Sequence, residues 1–176
     1  LYGGESGQTY FESPVSLEPP YRRTFSTRTD LGGGHVLGRW TRQRTAGAET
    51  ILQAYYDLTD RMDPADIQET RHTGDLDFQH RLGIGDRQGL VWGLGYRVTR
   101  DEIDPTFFID VDRTRRTDHL FSAFAHNEVS LRPDVARLTL GVKLERNSYT
   151  GLEVQPDVRF LWTPSPQQAL WTSLSR

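Results

Sequence analysis

The feature that most constrains this chain is a two-residue alternation of apolar and polar side chains, repeated in segments of about ten residues. Every odd position between Arg71 and Arg81 is polar, and the even positions of that stretch include Leu76, Phe78 and, just beyond, Leu82. The same rhythm returns over 90–99, 137–145 and 154–162. A period of two belongs to a β-strand whose two faces meet unlike surroundings. Short turns separate some segments and longer polar loops separate others. Together these features predict an all-β protein, an antiparallel transmembrane β-barrel with an apolar outside and a polar inside.

The composition agrees. The chain has 176 residues, enough for one sizeable domain. Hydrophobic residues make up 35% of it and the mean hydropathy is -0.63. A soluble α/β enzyme of this length is usually more apolar, whereas half of every barrel strand faces a polar lumen. No apolar run approaches the roughly 18 residues of a transmembrane helix. No signal peptide is visible, and a start at Leu1 rather than Met reads as a processed chain or a fragment. A net charge of -3 argues for neither nucleic acid nor an anionic membrane surface as partner. Lys143 is the one lysine among 21 basic residues. Arginine pairs bidentately with carboxylates and suits a crowded polar lumen, although coding bias gives the same excess. The absence of cysteine excludes disulfides, thiolate metal sites and cysteine nucleophiles.

Residues 1–34 carry Gly3-Gly4, Pro14, Pro19-Pro20 and Gly32-Gly33-Gly34, and read as an irregular loop or extracellular segment. The barrel strands are expected over 35–176. About eight candidates fall near 35–45, 50–60, 70–82, 89–100, 117–131, 135–147, 153–163 and 169–176. The links at 46–49, 83–88, 132–134 and 164–168 are tight, and those at 61–69 and 101–116 are long. The link at 149–152 is short where a long one is due. Short turns on one rim and long loops on the other is the outer-membrane pattern. Trp40, Trp92, Trp162 and Trp171 all fall beside the tight turns, as an aromatic girdle at a membrane interface requires, and Tyr56 and Tyr96 stand nearer the long loops as candidates for a second girdle. The opposite faces carry mixed charges, among them Asp57, Arg71, Asp75, Asp77, Arg97, Arg137, Lys143, Glu145, Asp157 and Arg159, which permits cross-strand ion pairs. In 117–131, Leu120, Phe121, Phe124 and Val129 do not share one parity, so the facing of that strand stays open.

Several stretches resemble the barrel of a TonB-dependent outer-membrane receptor. They are Leu37-Gly38-Arg39-Trp40, Leu52-Gln53-Ala54-Tyr55-Tyr56-Asp57, Asp75-Leu76-Asp77-Phe78-Gln79-His80 and Leu90-Val91-Trp92-Gly93-Leu94-Gly95-Tyr96-Arg97. They continue with Phe121-Ser122-Ala123-Phe124, 138–145, 156–164 and the closing Leu170-Trp171-Thr172-Ser173-Leu174-Ser175-Arg176. The likeness covers about residues 30–176, carried by their order and spacing. The family's plug domain and TonB-contact box are not found here, and its barrel has many more strands, so the resemblance implies an internal portion of a larger barrel. It also implies energised uptake of a scarce nutrient such as siderophore-iron, cobalamin or an oligosaccharide, at the bacterial outer membrane. The implied partners are outer-membrane lipid, an imported small-molecule ligand and the TonB system, the last through a plug that this chain lacks.

The residues offer few sites. His35, His72, His80, His119 and His126 have no metal-helix spacing, and no metal or cofactor is expected. His72 and His80 are in phase with lipid-facing positions. No Gly-x-Ser-x-Gly elbow exists, and Ser122 with His126 or His119 is the pair an outer-membrane hydrolase would need. Asp60, Asp63 and Asp66 lack the glycine and closing glutamate of a calcium loop, so a solvated loop is the expectation. The 101–116 loop holds Phe107 and Phe108, which could cover a ligand, and Arg113, Arg115 and Arg116, which could hold an anionic one; packing of the phenylalanines against neighbouring loops is the plainer reading. The function expected is therefore transport without catalysis. The rivals are a small closed barrel that anchors or interacts at the envelope, an outer-membrane hydrolase, and a soluble β-sandwich or lipocalin-like binder.

Overall fold

The computed structural model describes residues 2–13, 19, 23–44, 47–63, 67–105 and 110–176. Its strands are β1 (Tyr2–Ser13), β2 (Arg23–Gln43), β3 (Glu49–Met62), β4 (Gln68–Ile84), β5 (Gln88–Asp104), β6 (Arg115–Arg132), β7 (Ala136–Asn147), β8 (Gly151–Ser165) and β9 (Gln168–Ser175). They pair in chain order from β1 to β9 in one nine-stranded sheet, and no α-helix occurs among the described residues. Neighbours run antiparallel, as the β1–β2, β6–β7, β7–β8 and β8–β9 registers show. The all-β antiparallel class expected from the alternation is therefore the one observed, with nine strands where about eight are expected.

Residues 1–34 differ from their expected irregularity, since β1 and the first part of β2 pair across this segment from Tyr2↔Gly34 to Ser13↔Arg23. Two of the glycines, Gly4 and Gly33, serve close approach of neighbouring strands rather than turning. A Cβ at Gly4 would stand 2.9 Å from the Leu31 carbonyl oxygen, and one at Gly33 2.7 Å from that of Leu58. The long loops also shrink. The Asp63 N–H donates to the Ile67 carbonyl at 2.9 Å, and the Ile103 N–H to that of Thr114 at 2.8 Å, so the strands run on into stretches that are polar on both faces. Alternation cannot be read where neither face is apolar.

Tight turns follow local chemistry. At Arg132–Val135 the Val135 N–H donates to the Arg132 carbonyl at 3.0 Å. Pro133 supplies the fixed φ of the first central position, and Asp134 takes the left-handed second one at φ 59.

Contacts divide the chain into two units. The first is Leu1–Val36, Tyr55–Gly74 and Val98–Asp118; the second is Leu37–Ala54, Asp75–Arg97 and His119–Arg176. Among the described residues no hydrophobic side chain is buried, and Asp63, at 8% exposure, is the one buried polar residue. No helix is long and apolar enough to cross a membrane.

Candidate functional site

In the second unit the registers assemble an apolar face. Phe78 lies against Trp92 with ring centroids 5.2 Å apart, and Tyr96 against Phe121 at 4.7 Å. Phe121 stands opposite Arg146, Leu138 opposite Phe160, Leu140 opposite Val158, Val158 opposite Leu174 and Trp162 opposite Leu170. These residues are exposed or half-buried and none is fully buried, with Leu94 at 53%, Phe121 at 54% and Val154 at 50% exposure. On β8 the apolar positions run from Leu152 through Val154, Pro156, Val158 and Phe160 to Trp162. Those ten residue steps span about 33 Å of strand. At the roughly 40° tilt of membrane barrels that becomes about 25 Å, the height of their apolar band.

The expected interface aromatics divide. Trp92 and Trp162 take the apolar face beside the tight turns, and Trp40 is 52% exposed in phase with Val36. Trp171 does not join them. It stands opposite Leu161, on the face of Arg159 and Asp157, because Leu170, Thr172 and Leu174 occupy the apolar parity of β9. The Tyr96 hydroxyl is hydrogen-bonded to His119 Nδ1 at 2.8 Å, and within the first unit Tyr56 makes the same bond to His72 Nδ1 at 2.7 Å. His80 Nδ1 bonds the Thr50 hydroxyl at 2.9 Å. Each of these histidines thus has a hydroxyl partner on the adjacent strand, which lowers the cost of placing an imidazole beside apolar neighbours.

The other face of the second unit is a ladder of opposite charges. Arg97 Nε donates to Asp75 Oδ2 at 2.7 Å, Lys143 Nζ to Glu145 Oε2 at 2.7 Å, and Arg159 Nε stands 3.0 Å from Asp157 Oδ2. Arg137 lies 3.4 Å from Glu128, and His126 Nε2 3.7 Å from Asp157 Oδ1. With arginines half exposed, such pairs contribute about 0–1 kcal/mol each, and their main effect is to keep like charges apart. Glycine makes the room: a Cβ at Gly141 would overlap the Asp157 carboxylate and press on the His126 ring. The facing of β6 is also decided here. Ser122 stands opposite Glu145 on the charged face, while Phe121 takes the apolar one. Phe124 breaks the expected parity because Gly93 leaves a notch that its ring fills.

In the first unit Arg71 holds Asp101 at 2.6 Å and Glu69 at 2.7 Å, and Arg100 holds Glu102 at 2.6 Å. The arginines expected to grip a ligand are not one cluster. Arg115 and Arg116 are adjacent on β6 and so project to opposite faces. Arg115 lies 3.7 Å from Glu102 and Arg116 2.9 Å from Asp118. Arg113 is exposed just ahead of the strand. Phe107 and Phe108 lie outside the described residues. In the acidic loop Asp63 accepts from the Thr29 hydroxyl at 2.8 Å and Asp60 from that of Thr70 at 2.9 Å; Asp66 lies outside the described residues. No group of metal-ligating side chains gathers among the described residues. Ser122 and His119 take opposite faces of β6, and Ser122 and His126 are four residues apart along it, about 13 Å of extended strand.

No protein-family model matches the chain, and no curated protein matches it. Among solved structures it is similar to the siderophore receptor PirA from Pseudomonas aeruginosa, with a TM-score of 0.69 and 13% sequence identity. The match covers 99% of this chain and 32% of that one, so the chain spans about a third of that receptor's length. At such identity the likeness shows the fold, and the fold is a barrel-like, all-β antiparallel sheet.

Proposed function

We propose that this chain forms part of the β-barrel of a TonB-dependent receptor in the bacterial outer membrane, serving energised uptake of a scarce nutrient. The observation that carries the reading is the exposed apolar face set against a charge-paired face, with no hydrophobic side chain buried among the described residues. In water that distribution forfeits the hydrophobic gain that holds a domain together, whereas in a bilayer it is the stable one. The similarity to a siderophore receptor supports an iron chelate as cargo; cobalamin and oligosaccharides are the other classes. In this reading the tight turns face the periplasm, the segment with Arg113, Arg115 and Arg116 faces outward toward the ligand, and transport proceeds without catalysis. A plug contributed outside these residues would couple the barrel to the TonB system.

A small closed barrel fits less well. In an antiparallel series β1 and β9 point the same way, so a seam between them would be parallel, against the even, all-antiparallel rule of bacterial barrels. Unpaired edges in lipid cost several kcal/mol per unsatisfied group, which favours further strands beside both.

Uptake by cells tests the reading. Deleting the gene is expected to abolish energised uptake of one of three labelled probes, a ferric siderophore, cobalamin or an oligosaccharide, and the full gene to restore it. Unchanged uptake of all three would overturn it.

A further inference from the structure

We propose that Arg146, on the apolar face, holds the phosphate of a lipid in the outer leaflet, with an acyl chain lying in the groove beside it. This rests on the membrane reading above. Pairing places Arg146 between Phe121 of β6 and Leu152 of β8, so its guanidinium projects from the apolar face, where it is exposed. The neighbouring carboxylates Glu145 and Glu153 face the other way, and Glu145 is taken by Lys143 at 2.7 Å. No carboxylate among the described residues comes within ion-pair distance of Arg146.

Two depressions meet at this residue. One, of ≈ 520 Å³, is apolar and includes Leu76, Phe78, Leu144 and Leu152. The other, of ≈ 510 Å³, includes His119, Asn147 and Ser148. Tyr96, Phe121 and Arg146 line both. The result is an amphipathic groove, apolar toward the middle of the belt and polar with one full positive charge at its edge. A cation on a lipid-facing surface is costly at the bilayer midplane and tolerated at the interface. Arg146 sits at the interface, one residue before the polar Asn147-Ser148 corner. His119, oriented by the Nδ1 bond to Tyr96, adds an imidazole at the polar end. The planar guanidinium fork matches the oxygens of a phosphate, and the groove beneath matches an acyl chain. The 148–150 turn lies on the rim opposite the tight turns, which in this reading is the outer one, so the occupant is a phosphorylated glycolipid of the outer leaflet.

The experiment uses the full-length parent polypeptide in detergent micelles. Its probe is an acylated glucosamine disaccharide bisphosphate, compared with the same lipid lacking phosphates, and bound lipid is counted by native mass spectrometry. The phosphorylated lipid is expected to bind at about tenfold lower concentration, consistent with one charge-assisted bidentate contact. Arg146→Gln should erase that preference, Arg146→Lys should keep part of it, and Arg159→Gln on the opposite face should leave it intact. Equal binding of the two lipids, or an undiminished preference in Arg146→Gln, overturns the proposal. If the polypeptide stays monodisperse without detergent, the membrane reading falls with it; equal binding of the two lipids by an unsubstituted, detergent-dependent protein sinks the lipid site alone.

Discussion

The clearest consequence at the scale of single residues concerns Gly141. The Asp157 carboxylate, with His126 on one side and Arg159 on the other, occupies the space a side chain at 141 would need. Gly141→Ala is expected to destabilise the protein by roughly 1–3 kcal/mol, the usual cost of overpacking a filled site. Urea unfolding in detergent would measure it, and a second change, Asp157→Ala, should recover part of the loss. This site was only half legible in sequence. Parity places Asp157 and Arg159 on the charged face, but that Gly141 makes room for the Asp157 carboxylate is a cross-strand fact with no local signal.

Among the elements, β7 shows how far alternation reaches. Leu138, Leu140, Val142 and Leu144 share one face and Arg137, Thr139, Lys143 and Glu145 the other, as the parity predicts, and the registers to β6 and β8 preserve it. Under the proposed membrane placement a charge on the apolar face would meet hydrocarbon, whereas one on the other face would join the ladder. Leu140→Arg is therefore expected to cost about 2–4 kcal/mol in a bilayer and Thr139→Arg well under 1. Equilibrium folding into lipid vesicles compares them directly, and equal costs would mean that β7 has no lipid face. Alternation fails in β6 because Leu120 and Phe124 share the charged face with Ser122 while Asn127 shares the apolar one with Phe121; Phe124 fits there because Gly93 opens a notch for it. Over β1 the alternation is absent altogether, and its pairing with β2, not its own pattern, makes it a strand.

For the molecule as a whole, the tryptophans give the sharpest test. Variants retaining one tryptophan each, in vesicles with brominated acyl chains, should show Trp92 and Trp162 quenched by the lipid. Trp171, 77% exposed on the charged face, should instead be quenched by acrylamide in water. Lipid quenching of Trp171 would mean that the β8–β9 register of the structure is wrong in the bilayer. All four lie beside tight turns, but only Trp40, Trp92 and Trp162 are in phase with the apolar neighbours on their own strands. The pairing of Leu161 with Trp171 places the last on the charged face.

The sequence by itself determined the strand class, the positions of most strands, the tight turns and the division of β7 and β8 into apolar and charged faces. Each of these depends on neighbours along the chain, where a period of two and a turn residue carry the information. The tertiary structure decided what depends on neighbours across it: the pairing that makes β1 a strand, the facing of β6 and Trp171, the separation of Arg115 from Arg116 by their partners, and the groove at Arg146. A strand's hydrogen bonds and its close contacts are made with residues distant in sequence, so their register has to be built before it can be read.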